Sequence, residues 1–150
     1  MKVLIVYDSV YGNPEKIAEA IGSAIIGDAT VLNATKANSS KLESIDLLIV
    51  GSPTQGGRPT PALQDFLNRV SESAIEVINI AAFDTRLSTK PVRVFGYAAG
   101  RIASNLERKG DTLLASPKGF FVKGSKGPLK EGELEVPQVE RHFREQEIVL

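Results

Sequence analysis

The chain has 150 residues, 42% of them hydrophobic and 24% charged, enough to bury a full-sized core. Its 18 basic and 18 acidic residues cancel, which argues against a strongly basic nucleic-acid binder and against a strongly acidic carrier. Cysteine is absent and His142 is the single histidine, which removes disulfides, thiolate sites and most metal- or histidine-based catalysis.

The apolar run Val3 to Tyr7 follows a lone Lys2 and reaches Asp8, and Val3 to Asp8 reads as a first strand. It is too short for a signal-peptide core or a membrane span, and no other stretch is long enough to span, so a cytoplasmic protein with no membrane partner is expected. A polar turn, Asp8 to Asn13, leads into a helix from about Pro14 to Ile26. Ile17, Ala18, Ile21, Ala24 and Ile25 share one face of that helix, and Gly27-Asp28 ends it. Ala29 to Asn33 is a short second strand, and Asn38-Ser39-Ser40 can cap a brief helix through Glu43. Ile45 to Gly51 is a third strand, whose nearly unbroken aliphatic run suits burial on both faces of a parallel sheet.

A long turn, Ser52 to Pro59, precedes a helix capped by Thr60. Pro61 takes its first position, and Ala62, Leu63, Phe66, Leu67 and Val70 form its inner stripe. Val77 to Phe83 is the fourth strand, preferred over the shorter Val92 to Phe95. A helix spans about Tyr97 to Lys109, with Ala99, Ile102, Ala103 and Leu106 inward and Gly110 closing it. Thr112 to Ala115 and Gly119 to Val122 look like two halves of a fifth strand, broken at Ser116-Pro117-Lys118 because proline cannot donate to a ladder. A lysine-bearing loop from Lys123 to Gly132 and a last helix over about Glu133 to Gln146 complete the chain. Strands alternate with helices throughout, with no repeat or linker, so one domain over residues 1–150 with a parallel sheet is expected.

In open α/β sheets ligands sit beyond the carboxyl ends of strands, where the strand order reverses. The turn after the first strand has the character of an anion site. Ser9 offers a hydroxyl, Gly12 allows close backbone approach, Asn13 can cap the helix, and unpaired N–H groups at the helix start favour negative charge. An ordinary, well-capped connection is the competing reading. Gly-Tyr-Ala-Ala-Gly-Arg at 96–101 is not a dinucleotide fingerprint, and Asn13 to Lys16 lacks the end of a nucleotide P-loop. Lys118, Lys123, Lys126 and Lys130 make a basic loop that reads as a solvated face, with docking of an acidic partner as the rival reading, and His142, beside Arg141 and Arg144, reads as an exposed helix position.

The stretch V-Y-D-S-V-Y-G-N-P-E-K-I-A resembles the phosphate loop of the flavodoxin-like proteins, with Ser9, Gly12 and Asn13 matching and Pro14 standing where threonine is usual. G-S-P-T-Q-G-G resembles the family's second flavin loop and A-A-F-D-T-R-L its third. G-F-F-V-K-G-S-K-G-P-L-K-E-G-E-L-E is similar to a subgroup's C-terminal region. The resemblance implies a three-layer sandwich around a five-stranded parallel sheet in the order 2-1-3-4-5, binding FMN and carrying electrons to and from a redox partner protein.

By resemblance, Ser9, Val10, Tyr11, Gly12, Asn13 and Pro14 hold the phosphate. Pro53, Thr54, Gln55, Gly56 and Gly57 border one side of the ring, and Phe83, Asp84, Thr85 and Arg86 the other. Gly56 and Gly57 are candidates for the carbonyl that such loops turn toward the flavin. Thr85 could bond the ring edge. Arg86 could offset charge on the reduced ring, or could simply pair with Asp84 at the surface. Tyr11 and Tyr97 are the available flanking aromatics, while Tyr7 is expected within the sheet packing. Flavodoxins that shuttle electrons are usually acidic, so the neutral balance here does not imply a low potential. An FMN-dependent NAD(P)H:quinone reductase and a domain of this fold that has lost FMN stay open beside the electron carrier, and the resemblance leaves it undecided whether the chain is an enzyme.

Overall fold

The computed structural model describes residues 2–25, 28–38, 42, 44–70, 78–87, 97–114, 117–123 and 129. The chain alternates β1 (Lys2–Tyr7), α1 (Asn13–Ala24), β2 (Asp28–Asn33), a 3₁₀ turn (Ala34–Lys36), β3 (Leu47–Pro53), α2 (Pro61–Arg69), β4 (Asn79–Arg86), α3 (Ala98–Arg108), β5 (Thr112–Leu113) and β6 (Lys118–Phe121). The strand order is β2-β1-β3-β4-β5, and β6 also pairs with β4. Every one of these pairings is parallel, as the continuous apolar runs suggested.

Alternation along the strands divides the core in two. Leu4, Val6, Leu48, Val50, Ile80 and Ala82 face α2 and α3, meeting Leu63, Phe66, Ile102 and Leu106. Val3, Ile5, Leu47, Ile49, Ala81 and Phe83 face α1, meeting Ile17, Ala18 and Ile21. The sheet is therefore the middle layer of three. The helical stripes read from sequence are the buried ones, except that Ala24 and Ala62 are half-buried.

The fifth strand position is shared. Thr112 and Leu113 pair with Asn79 and Ile80, and Lys118 to Phe121 pair with Phe83 to Arg86. Two pieces thus line one edge of β4, with the break between them, as the proline suggested. Two boundaries differ from expectation in a way that matters for the site. β3 runs on through Ser52 and Pro53, and β4 through Asp84, Thr85 and Arg86. These polar residues stay in the ladder because β4 is flanked on both sides at that end, by β3 and by β6. The expected brief helix from Asn38 falls largely on residues 39–41 and 43, and the rival strand 92–95, the last helix and His142 likewise lie outside the described residues. Among the described residues no helix is long and apolar enough to cross a membrane.

Candidate functional site at the carboxyl edge of the sheet

The segment order places three connections on one edge of the sheet. β1, β3 and β4 are parallel and adjacent, so residues 9–14, 53–58 and 83–87 gather beyond or at their carboxyl ends.

In the first connection, Asp8 still belongs to the sheet edge, its N–H donating to the Gly51 carbonyl at 3.1 Å. Gly12 then takes φ +91°, and a Cβ there would meet nothing within 4 Å. Its N–H donates to Ser9 Oγ at 3.0 Å, which leaves the Ser9 hydroxyl proton free to point elsewhere. Gly12 is also the residue preceding α1, and its carbonyl accepts the first helical bond from Lys16 at 3.1 Å. This corrects the expected role of Asn13. Asn13 is the first helical residue, buried, and no side chain caps α1. Pro14 is buried at the second helical position, one later than expected.

Val10 and Tyr11 stand out on the turn as large apolar side chains left 51% and 53% exposed. Tyr7 is half-buried against the α1-side core and donates its hydroxyl to Glu15 Oε1 at 3.3 Å. Burial first, and then the neighbouring Glu15 charge, push the Tyr7 phenol above its ordinary range.

The second connection is knitted to the first by Thr60, which sequence had marked only as a cap. Its Oγ1 accepts from Leu63 N–H at 3.4 Å and donates to Asp8 Oδ2 at 2.5 Å, while its own N–H donates to Ser52 Oγ at 3.1 Å. Thr54 N–H donates to the Thr85 carbonyl at 2.9 Å, fastening this connection to β4. Gln55 and Arg58 then form a two-way backbone pair, at 2.8 and 3.1 Å, around Gly56 (φ +57°) and Gly57 (φ +79°). Positive φ at both central positions defines a type I′ turn, which suits glycine because it has no Cβ to clash there.

The third segment is more buried than sequence suggested. Phe83 is fully buried on the α1 face, in edge contact with Phe120 at 6.1 Å. Its ring lies so close over Gly51 that a Cβ there would come within 2.0 Å of it. Asp84 and Arg86 do pair, but not at the surface. Asp84 is 0% exposed, receives Arg86 Nε and Nη2 at 2.7 Å each, and accepts Ala99 N–H at 2.9 Å. The Arg86 guanidinium also lies 3.5 Å from the centroid of the Tyr97 ring and rests over Gly119. That face of Tyr97 is therefore covered by Arg86. Thr85 is buried, with its carbonyl taken by Thr54.

The start of α3 completes the arrangement. Ala98 N–H donates to Thr54 Oγ1 at 3.1 Å, and Arg101 Nε donates to the Gly57 carbonyl at 2.7 Å. Sequence gave no sign of Asp8, Ser52 or Arg101 in this network. Only the position of Asp84, a charge at the end of an apolar run, could have flagged a buried polar node. Among the described residues no cluster of His, Asp or Glu could hold a metal ion.

A doubly wound parallel sheet with its connections gathered at the β1/β3 switch point defines the flavodoxin-like class. The chain belongs to the flavodoxin domain family, whose model matches residues 4–120. Among solved structures it is similar to a flavodoxin from the domain Archaea, at 23% identity over 99% of both chains with a TM-score of 0.79. It is similar also to oxidised flavodoxin 1 of Bacillus cereus, at 20% identity over 100% of this chain and 99% of that one, with a TM-score of 0.81. A third likeness is to the rubredoxin oxygen:oxidoreductase of Desulfovibrio gigas, at 19% identity and a TM-score of 0.75. There 98% of this chain covers 36% of that one. No protein of curated function matches the sequence.

Proposed function

We propose that the chain binds FMN at the carboxyl edge of the sheet and carries electrons between redox partner proteins. The observation that supports this most is the turn after β1. Gly12 holds a left-handed backbone with open space beside it, Ser9 keeps a hydroxyl proton to donate, and α1 begins at that point. Those features fit a phosphate, since the first helical N–H groups and the helix dipole favour an anion there. Pro14 has no N–H, so the cradle rests on fewer donors.

FMN, when bound, supplies the electron chemistry, and no side chain of the protein needs to act as acid or base. Ser9 to Pro14 would hold the phosphate. Pro53 to Gly57 would border the ring on one side. The end of β4, Phe83 to Arg86, would border the other, held in place because buried Asp84 pairs with Arg86, whose guanidinium stacks on the Tyr97 ring. A protein of balanced charge has no strong field to attract nucleic acid, so the partner is expected to be a protein.

FMN and riboflavin titrations of the apoprotein test the reading. A working phosphate turn makes FMN bind far more tightly than riboflavin, and equal affinities would contradict it. NAD(P)H oxidation by the loaded protein with no partner present would instead indicate a reductase. No flavin binding at all would indicate a domain that kept only the fold.

A further inference from the structure

The type I′ turn Gln55–Arg58 is held from outside as well as from within. Its ends are closed by the Gln55–Arg58 backbone pair. The Gly57 carbonyl is then taken by Arg101 Nε at 2.7 Å, from a residue 44 positions away on the first turn of α3. The peptide between Gly57 and Arg58 is thus fixed at both its polar atoms, since the Arg58 N–H donates to Gln55 and the Gly57 carbonyl accepts from Arg101. The peptide between Gly56 and Gly57 lies at the apex. It is flanked by two glycines at positive φ, and a Cβ on Gly56 would meet nothing within 4 Å.

We propose that Arg101 is a positioning residue for this loop. It locks the Gly57–Arg58 peptide and confines rearrangement of the turn to rotation of the single Gly56–Gly57 peptide. Such a rotation converts type I′ to type II′, which needs positive φ only at the first central position and leaves both ends of the turn in place. The Gly56 carbonyl is then the one group that swings. Thr54, bonded to Ala98 N–H at 3.1 Å, keeps the stem of the loop on the same helix. The proposal rests on the FMN reading for its use, but the lock is a property of the chain itself.

Two readouts in the full-length protein test it, with Arg101→Met and Arg101→Lys as variants. In the apoprotein, amide hydrogen exchange at Gln55 and Arg58 should quicken at least tenfold in Arg101→Met, while Val50 in β3 is unchanged. Unchanged exchange at 55 and 58 overturns the lock. In the FMN-loaded protein, the gap between the two one-electron midpoint potentials should shift by about 59 mV or more, the equivalent of a tenfold change in the turn's equilibrium. An unchanged gap overturns the link to the ring. Arg101→Lys keeps the charge but loses the planar Nε–H, so it should behave like Arg101→Met in both readouts. Full restoration by lysine means that charge alone acts, and overturns the proposal. If the unaltered protein binds no FMN, the functional reading fails, and the exchange experiment still decides the lock.

Discussion

At Gly12 the backbone sits at φ +91° with no neighbouring atom in the way of a side chain. Any penalty for substitution is therefore conformational rather than steric. Gly12→Ala should cost about 1 kcal/mol of stability, read by urea denaturation, and should weaken FMN binding because the turn relaxes away from its left-handed geometry. Pro14 is the converse case. Buried at the second helical position, it suits the helix but offers no donor. Pro14→Thr restores an N–H and a hydroxyl, and should tighten FMN binding by about 1 kcal/mol, the scale of one net hydrogen bond, in a calorimetric titration. Unchanged affinity would mean that position 14 does not face the phosphate.

Among the elements, α2 and α3 act as clasps on the strand ends. Thr60 holds the α2 start to Asp8 and Ser52. Thr60→Val keeps the shape but loses the cap and the bond to Asp8, and should cost about 1–2 kcal/mol in chemical denaturation. Asp84 holds the α3 start through Ala99 and anchors Arg86. Asp84→Ala leaves a largely buried guanidinium and a buried N–H without their acceptor, and should destabilise by about 3 kcal/mol. A loss below 1 kcal/mol would show that Arg86 and Ala99 find other partners. Both clasps rest on side chains that meet only after the chain has folded. Local propensity thus located Thr60 and Pro61 as a helix start but could not reveal what Thr60 grips.

For the molecule as a whole, the strands, their parallel arrangement and the inward helix stripes were legible because apolar runs and helical spacing are local patterns, whereas the strand order came only from the family resemblance. The ends of β3 and β4 were not. Asp84, Thr85 and Arg86 read as loop because they are polar, and they stay in the sheet only through β3, β6 and α3, all distant in sequence. Asp111 sets one global property. It is 6% exposed, and Oδ1 accepts from Ile78 N–H at 3.4 Å, while Oδ2 has no hydrogen-bond partner among the described residues. Burial pushes its carboxyl above the ordinary range, only partly opposed by the Ile78 bond and by Lys109. The folded state therefore binds the proton more tightly than the unfolded one. Stability falls as pH rises from the ordinary carboxylate range through the raised value, and stays lower above it. Asp111→Asn should melt higher than the parent at pH 7 and show no advantage at a pH where Asp111 is protonated. A pH-independent difference would assign the effect elsewhere.

The divided strand along β4 has a further consequence, for behaviour in crowded solution. A long, regular outer strand offers a run of unpaired amides onto which a neighbouring molecule can add its own strand. Here that rim is cut into pieces of two and four residues, with Pro117 between them and Lys118 opening the second. A foreign strand would find its register interrupted after two residues, so the split discourages strand addition along this edge, while β2 at the opposite edge runs unbroken from Asp28 to Asn33.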